Sequence, residues 1–420
     1  MQQKYTARAE QIMRRIQQLA AISEDRAGVT RTFGTPAFLQ GRALVCSWLE
    51  AAGLATRFDG IGNLRARLLS PDPAAKTFVL ASHIDTVVNA GKFDGPLGVL
   101  MALDLLEQLI ARQVSLPFHI ELIAFSDEEG VRFHTTYLGS KVVAGSFDRT
   151  WLARPDAGGI TLARALEVME ADAAQIAADA IPAADWLGYF EMHIEQGPVL
   201  WERNIPVALV TAIAGQMRVE LTFRGMVGHA GTVPMAMRQD ALCAAAEFVL
   251  IAEQFALTHG QGLVATVGKL NLSNAASNVI SGEVTCSLDL RSPDAAQLTA
   301  ACEALKTYTE AIARQRHVTL SWHLIQQTAP VDCDGRLNDL LAEAIAGAGH
   351  EVVALVSGAG HDAVPISAVA PATMMFIRCY KGISHNQLEN VELADLTAAL
   401  EVADRFIQLI MRKAGGFNEE

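Results

Sequence analysis

A chain of 420 residues with 46 acidic and 33 basic side chains carries a net charge of -13. That balance argues against a nucleic-acid or anionic-membrane partner, since both need clustered Lys and Arg. Half of its residues (51%) are hydrophobic and 19% are charged, which excludes a disordered chain, and its length exceeds what one hydrophobic core supports, so two domains are expected. No apolar run approaches the roughly eighteen residues of a bilayer-spanning helix, and the N-terminal MQQKYTARAEQIMRRIQQLAAI reads as a charged helix rather than a signal peptide. Cys46, Cys243, Cys286, Cys302, Cys333 and Cys379 form no CxxC pair, so a soluble protein of a reducing cytoplasm is expected.

In chain order, residues 36–52 carry apolar positions at helical spacing and stop at Gly53. TFVLASHID (77–85) is a continuous apolar run, as in a strand covered on both faces. GVLMALDLLEQLI (98–110) follows as a helix and FHIELIAFS (118–126) as a second buried strand. Strand, helix, strand at this spacing predicts a βαβ unit in a parallel sheet. Residues 157–184 are Ala-rich and read as a helix with loops, and YFEMHIEQG (189–197) reads as one more strand or a strand end.

Near residue 214 the texture changes. QMRVELTFRG (216–225) alternates apolar and polar, the pattern of a sheet with one wet face. A helix over about 236–256, strands at 264–272 and 279–292, a helix over about 294–315 and a strand at 317–325 complete a β-α-β-β-α-β order. The fold class expected is α/β, with a mainly parallel catalytic sheet in residues 1–213 and 330–420 and an inserted α+β domain in 214–329.

Ionisable residues concentrate at predicted strand ends. His83 and Asp85 close one strand, Asp94 lies in the Gly-rich loop beyond it, and Asp127, Glu128 and Glu129 close the next. Ligands of open α/β sheets bind outside the carboxyl ends of the strands, so both groups face one crevice. A histidine with carboxylates from two strands suits a borderline metal such as zinc. Asp85 is placed to accept the second ring N–H of His83. Singly, a strand-end histidine is as well read as a core residue and an acidic triplet as a solvated loop; three adjacent carboxylates, however, repel one another unless a cation compensates them.

HIDTVxxxGxFDGxLGVL, SDEEGVRF, HIEQGPVL, GHAGTVPM, GAGHDA and ISHNQLE occur, over residues about 80–395, in the order found in the amidase/carbamoylase branch of dinuclear metallopeptidase-like hydrolases. The chain resembles that family, which includes allantoate amidohydrolases, N-carbamoyl-L-amino-acid hydrolases, ureidoglycolate hydrolases and β-ureidopropionases. Ala81 departs from the glycine that often precedes Ser-His there. The resemblance implies two divalent ions, Zn2+ first and Mn2+, Co2+ or Ni2+ as alternatives. His83, Asp94 and His193 would hold one, and Asp94, Glu129 and His385 the other, each group leaving a position open for water and substrate. It implies Glu128 as general base and His229 as an oxyanion donor reaching the partner subunit of a homodimer. Arg218, Asn278 and Arg291 would hold the substrate carboxylate and amide groups, and Gln196, Gly360 and His361 would line the pocket. Read without the motif, His229 is a turn histidine and Arg291 the partner of a structural salt bridge. His119, His134, His259, His317, His323 and His350 carry no motif and read as structural or surface residues.

The implied reaction is hydrolysis of a ureido or carbamoyl C–N bond beside a carboxylate. SDEEGVRF followed by TTYLGS is closer to allantoate amidohydrolases, which yield ureidoglycine, ammonia and CO2, than to carbamoylases. N-carbamoyl-L-amino acids are the runner-up. An aminopeptidase or deacylase of the wider superfamily and a catalytically dead scaffold stand as alternatives from other classes.

Overall fold

The run TFVLASH folds as the strand Thr77–His83, buried along its whole length. The computed structural model describes residues 2–413 apart from 261 and 274. His119–Phe125 lies parallel to Thr77–His83 on one side and Trp186–Ile194 parallel to it on the other, and Ala372–Ile377 continues the parallel run. Leu64–Leu68 and Ala55–Phe58 add antiparallel strands at one edge, and Val207–Ile213 pairs antiparallel with Ala372–Ile377. The sheet is thus mixed, with a parallel centre. Parallel strands need helical crossovers, and Pro96–Ala111 supplies the one between the first two; it is apolar almost all round because it is buried almost all round. The helices Gln2–Ala20, Pro96–Ala111 and Leu393–Lys413 are cross-linked by Arg8, which donates to Asp104 at 2.6 Å and to Asp404 at 3.2 Å.

The chain divides into two compact units, Met1–Thr211 with Cys333–Leu355 and Gly360–Glu420, and Ala212–Asp332 with Val356–Ala359. In the second, Leu270–Leu272, Glu283–Ser292, Gly215–Arg224 and Thr319–Thr328 form an antiparallel sheet in that order, with Val264–Thr266 also paired to Glu283–Ser292. The helices Ala241–His259 and Ala295–Gln315 pack on it. Buried residues alternate along Glu283–Ser292, the period-two pattern of a sheet with one covered face.

Several boundaries differ from the sequence expectation, each for a local reason. The predicted strand 189–197 stops at Ile194, because the Glu195 carboxylate turns to accept the backbone N–H groups of Val199 and Leu200 and caps the short helix Val199–Arg203. The helix expected from 236 begins at Ala241, where Asp240 caps the N–H groups of Leu242 and Cys243. The run 264–272 is two short strands, the run 279–292 divides into Val279–Ile280 and Glu283–Ser292, and the pairing of Val279–Ile280 with Gly228–His229 was not foreseen. The sequence reading of apolar runs also needs correction. Ala241–His259 is long and apolar enough to cross a membrane by length and composition. Its Ala244, Ala245, Phe248, Ala252 and Phe255 face is buried, which makes it a cover for the small sheet.

Candidate active site

Three parallel strands end at one place in the first unit, and their last residues and following loops carry the donors. His83 ends Thr77–His83, His193 lies one residue from the end of Trp186–Ile194, and the Asp127–Glu129 loop follows His119–Phe125. Asp94 sits just before Gly95, whose φ of 79° and close approach to the His83 ring exclude a side chain there. Pro96 then starts the next helix. Asp127, Gln196 and His385 all hold left-handed φ values (55°, 57° and 53°), the kind of backbone strain that concentrates at functional sites.

The geometry centres on Asp94. Its Oδ1 faces His193 Nε2 at 3.2 Å and His83 Nε2 at 3.6 Å; its Oδ2 faces His385 Nε2 at 3.0 Å, and His385 Nε2 lies 3.5 Å from Glu129 Oε1. His83 and His193 Nε2 atoms are 3.5 Å apart. Two ligands held at 2.0–2.2 Å by a tetrahedral ion lie about 3.4 Å apart, so both groups, His83–Asp94–His193 and Asp94–Glu129–His385, fit one ion each with Asp94 shared. The ring tautomers agree. His83 Nδ1 donates to the Asp85 backbone oxygen at 3.0 Å and His193 Nδ1 to the Ile194 oxygen at 2.9 Å, which directs both Nε2 lone pairs at the site.

Asp85 does a different task from the one expected. Its carboxylate is 3.7 Å from His83 Nδ1 and instead accepts the backbone N–H groups of Glu128 (3.1 Å) and Glu129 (3.2 Å). The strand has ended by His83, and the turn brings the Asp85 carbonyl, rather than its side chain, under the imidazole.

Charge at the site favours a cation. Burial alone would push His83 down, yet Asp94, Glu128 and Asp85 outweigh it and hold it well above its ordinary value. Asp94 itself is held well below the usual carboxylate range despite burial, because three imidazoles face it, and the Asp94 contact lifts His385 to about 9. Burial lifts Glu129 to about 7 and Glu128 well above its usual range. Glu128 is 7% exposed, so it is a buried carboxyl with a raised proton affinity beside the donor set. His361, whose ring centroid is 4.5 Å from that of His193, is held neutral by burial. Gln196 Nε2 donates to Asp94 Oδ2 at 2.9 Å, and Gly360 precedes His361 in this same unit.

The remaining candidates lie in the second unit. His229 is exposed and pairs with Val279 across the ribbon, while Ala230 N–H donates to the Asn278 oxygen at 3.0 Å, so His229 and Asn278 are neighbours. Arg218 and Arg291 converge on one carboxylate absent from the sequence reading. Asp289 accepts from Arg218 Nε (3.1 Å), Arg291 Nε (2.9 Å) and Nη2 (3.2 Å), and Gln216 Nε2 (2.7 Å). Arg291 Nη1 also donates to the Gly358 oxygen at 2.6 Å. Asp289 lies two residues from Arg291 and opposite Arg218 in register, so strand periodicity was the signal that points to it. Ser384 and Glu389 beside Asp94 were also missed, although both lie in the ISHNQLE motif.

A strand-end crevice with one carboxylate shared by two ligand groups, and a separate buried carboxyl beside them, defines a metal-dependent hydrolase. The model of the peptidase family M20/M25/M40 matches residues 79–409, and the chain belongs to that family. Allantoate deiminase of Arabidopsis thaliana is 36% identical, over 93% of this chain and 80% of its own length. N-carbamoyl-L-amino acid amidohydrolase of Geobacillus stearothermophilus is 35% identical, over 94% and 96%. A solved amidase of the hydantoinase/carbamoylase family from Burkholderia multivorans is 31% identical with a TM-score of 0.91, covering 97% of this chain and 98% of its own.

Proposed function

We propose that this enzyme hydrolyses the ureido C–N bond of a small substrate bearing a free carboxylate, and that the substrate is allantoate. The observation that carries the hydrolytic reading is the division of Asp94, with Oδ1 toward His83 and His193 and Oδ2 toward His385. Two divalent ions, one on His83, Asp94 and His193 and one on Asp94, Glu129 and His385, would polarise the substrate carbonyl and acidify the attacking water. Zinc suits this mixed donor set best; manganese, cobalt and nickel are also accommodated. Glu128, buried and of raised proton affinity, takes the proton of the attacking water and delivers it to the leaving nitrogen. His229 donates to the developing oxyanion, and Arg291, Arg218 and Asn278 receive the carboxylate and amide groups. Allantoate is the substrate in the name of the Arabidopsis relative; the carbamoylase relative, of nearly equal identity, keeps N-carbamoyl-L-amino acids as the second reading.

Ammonia release from allantoate and from a panel of N-carbamoyl-L-amino acids, with zinc and manganese supplied separately, decides between them. Higher kcat/KM on the carbamoyl panel refutes the allantoate assignment. Glu128→Gln keeps the bound metal and loses turnover by about 100-fold or more, the scale of general-base catalysis; near-wild-type turnover removes Glu128 from the role. We further propose a homodimer in which His229 serves the partner's site, with Leu250 and Leu257, 65% and 73% exposed on Ala241–His259, as apolar surface for pairing. Mixing His229→Ala with Glu128→Gln chains then restores activity, and no recovery after verified exchange refutes it. Six free cysteines support placement in a reducing cytoplasm.

A further inference from the structure

Glu389 is 2% exposed, and its carboxylate grips two separate loops of the site. Oε1 accepts the backbone N–H of Phe93 at 2.7 Å and of Asp94 at 3.2 Å; Oε2 accepts the Ser384 hydroxyl at 3.1 Å. The main chain of the shared ligand is thereby fastened to the loop that carries His385. There is no slack in the fastening, because a Cβ on Gly91 would collide with the Glu389 carboxyl.

The Ser384 hydroxyl has one proton and three polar neighbours: Gln196 Nε2, Asp94 Oδ2 and Glu389 Oε2, each at 3.1 Å. The Gln196 amide nitrogen only donates, so the serine oxygen accepts from it and the single proton goes to one of the two carboxylates. When Glu389 takes that proton, the Asp94 Oδ2 lone pair on that side stays available as a ligand. Without Glu389 the hydroxyl turns to Asp94 Oδ2 and competes for it.

We infer that Glu389 is a positioning residue that sets the reach of Asp94 Oδ2 and makes the Asp94–Glu129–His385 group able to hold its ion. The inference rests on the two-ion reading above. It separates Glu389 from a general structural role, because the His83–Asp94–His193 group uses the other oxygen of Asp94 and two histidines anchored on the Asp85 and Ile194 carbonyls.

The test is calorimetric titration of the metal-stripped full-length chain with Zn2+. Wild type takes up two ions. Glu389→Ala retains one ion within threefold of the wild-type affinity and weakens the other by about 10- to 100-fold, the range seen when a partner that orients a metal ligand is removed. His385→Ala, which removes a ligand of the same group, gives the same selective pattern. Glu389→Gln keeps an acceptor for the two N–H groups and falls between wild type and Glu389→Ala. Gly91→Ala, which displaces the carboxylate without changing its charge, also weakens the same ion and carries the test if Glu389→Ala does not fold. Two ions of unchanged affinity in Glu389→Ala and Gly91→Ala, or equal weakening of both ions, overturn the inference. A wild-type chain that binds fewer than two ions overturns the two-ion reading and this inference with it.

Discussion

Asp85→Asn separates two accounts of how the acidic loop is held. In the structure both Asp85 oxygens are occupied by main-chain donors, Glu128 N–H at 3.1 Å and Glu129 N–H at 3.2 Å, in a position 1% exposed. Asparagine keeps one acceptor and turns an NH2 group against the other N–H. One charge-assisted bond is weakened to a neutral one, and a buried N–H loses its acceptor; these cost about 1 and 1–3 kcal/mol respectively, so about 3 kcal/mol in all. Every 1.36 kcal/mol lost specifically in the transition state is tenfold in rate, and the strain falls on the Glu128–Glu129 main chain. We therefore expect kcat for Asp85→Asn to fall about 100-fold with KM within threefold of wild type. The His83–Asp94–His193 ion stays in place, because His83 is oriented by the Asp85 carbonyl, which the substitution retains. Steady-state kinetics and zinc calorimetry on one preparation read both quantities. Selective loss of that ion with kcat preserved when zinc is restored in excess refutes the main-chain clamp and returns Asp85 to orienting the imidazole.

Asp59 provides a test by pH. Burial first, against the opposing pull of Arg65 and Asn63, lifts its carboxyl to about 6 from an ordinary 3.8. A folded-state value above the unfolded one means that stability from this group is fully present below pH 3.8 and is lost as pH rises to about 6, to a total of about 3 kcal/mol. Asp59→Asn removes that decline between pH 4 and 6, as measured by denaturant unfolding; an unchanged slope in that window contradicts the assignment. Chelation of bound metal lowers the melting temperature, since one ion at 100 times its Kd contributes about 2.7 kcal/mol. No shift on chelation, scanned by differential fluorimetry, removes the cation from the stability of the fold. Asp289→Asn releases Arg291 from the edge that Asp289 pins, so KM for a carboxylate substrate rises on the order of tenfold, the worth of a charged hydrogen bond, with kcat less affected; an unchanged KM removes Arg291 from substrate binding.

Much of the first unit was legible because its signals are periodic. Continuous apolar runs give buried parallel strands, and the strand-end rule alone brings His83, Asp94 and Glu129 together. His193 lies one residue from the end of a strand whose apolar run is no different from a core strand, and His385 sits in an aperiodic loop with left-handed φ, so both needed the family motifs. The two-residue strand Gly228–His229 is too short for any periodicity to register, so its pairing with Val279–Ile280 had no signal. The roles of Glu389, which lies inside the ISHNQLE motif, and of Asp59 were hidden for another reason. Beside one side-chain donor each, they accept main-chain N–H groups, and no residue type in the sequence marks where a backbone donor will point.

That same preference for main-chain partners explains how the site can be rigid and still keep its ligand atoms free. A side chain that bonds to a metal ligand's own oxygen or nitrogen takes a lone pair that an ion needs. Asp85 holds Glu128 and Glu129 by their amides, Glu389 holds Asp94 by its amide, and Asn63 accepts the Ser126 N–H at 2.9 Å while donating to the Gly139 oxygen, which secures the start of the same acidic loop. Asn63 is in turn held by Asp59 through its own N–H and its side-chain amide. The histidines follow the same logic, with Nδ1 spent on a carbonyl and Nε2 kept for the site. Positioning therefore acts mainly through main-chain groups rather than the donor atoms, with the Gln196 amide on Asp94 Oδ2 at 2.9 Å as an exception. It also follows that substitutions at Asp85, Asn63 and Glu389 should be read through metal affinity and kcat, because the groups they hold touch the reacting centre while they themselves do not.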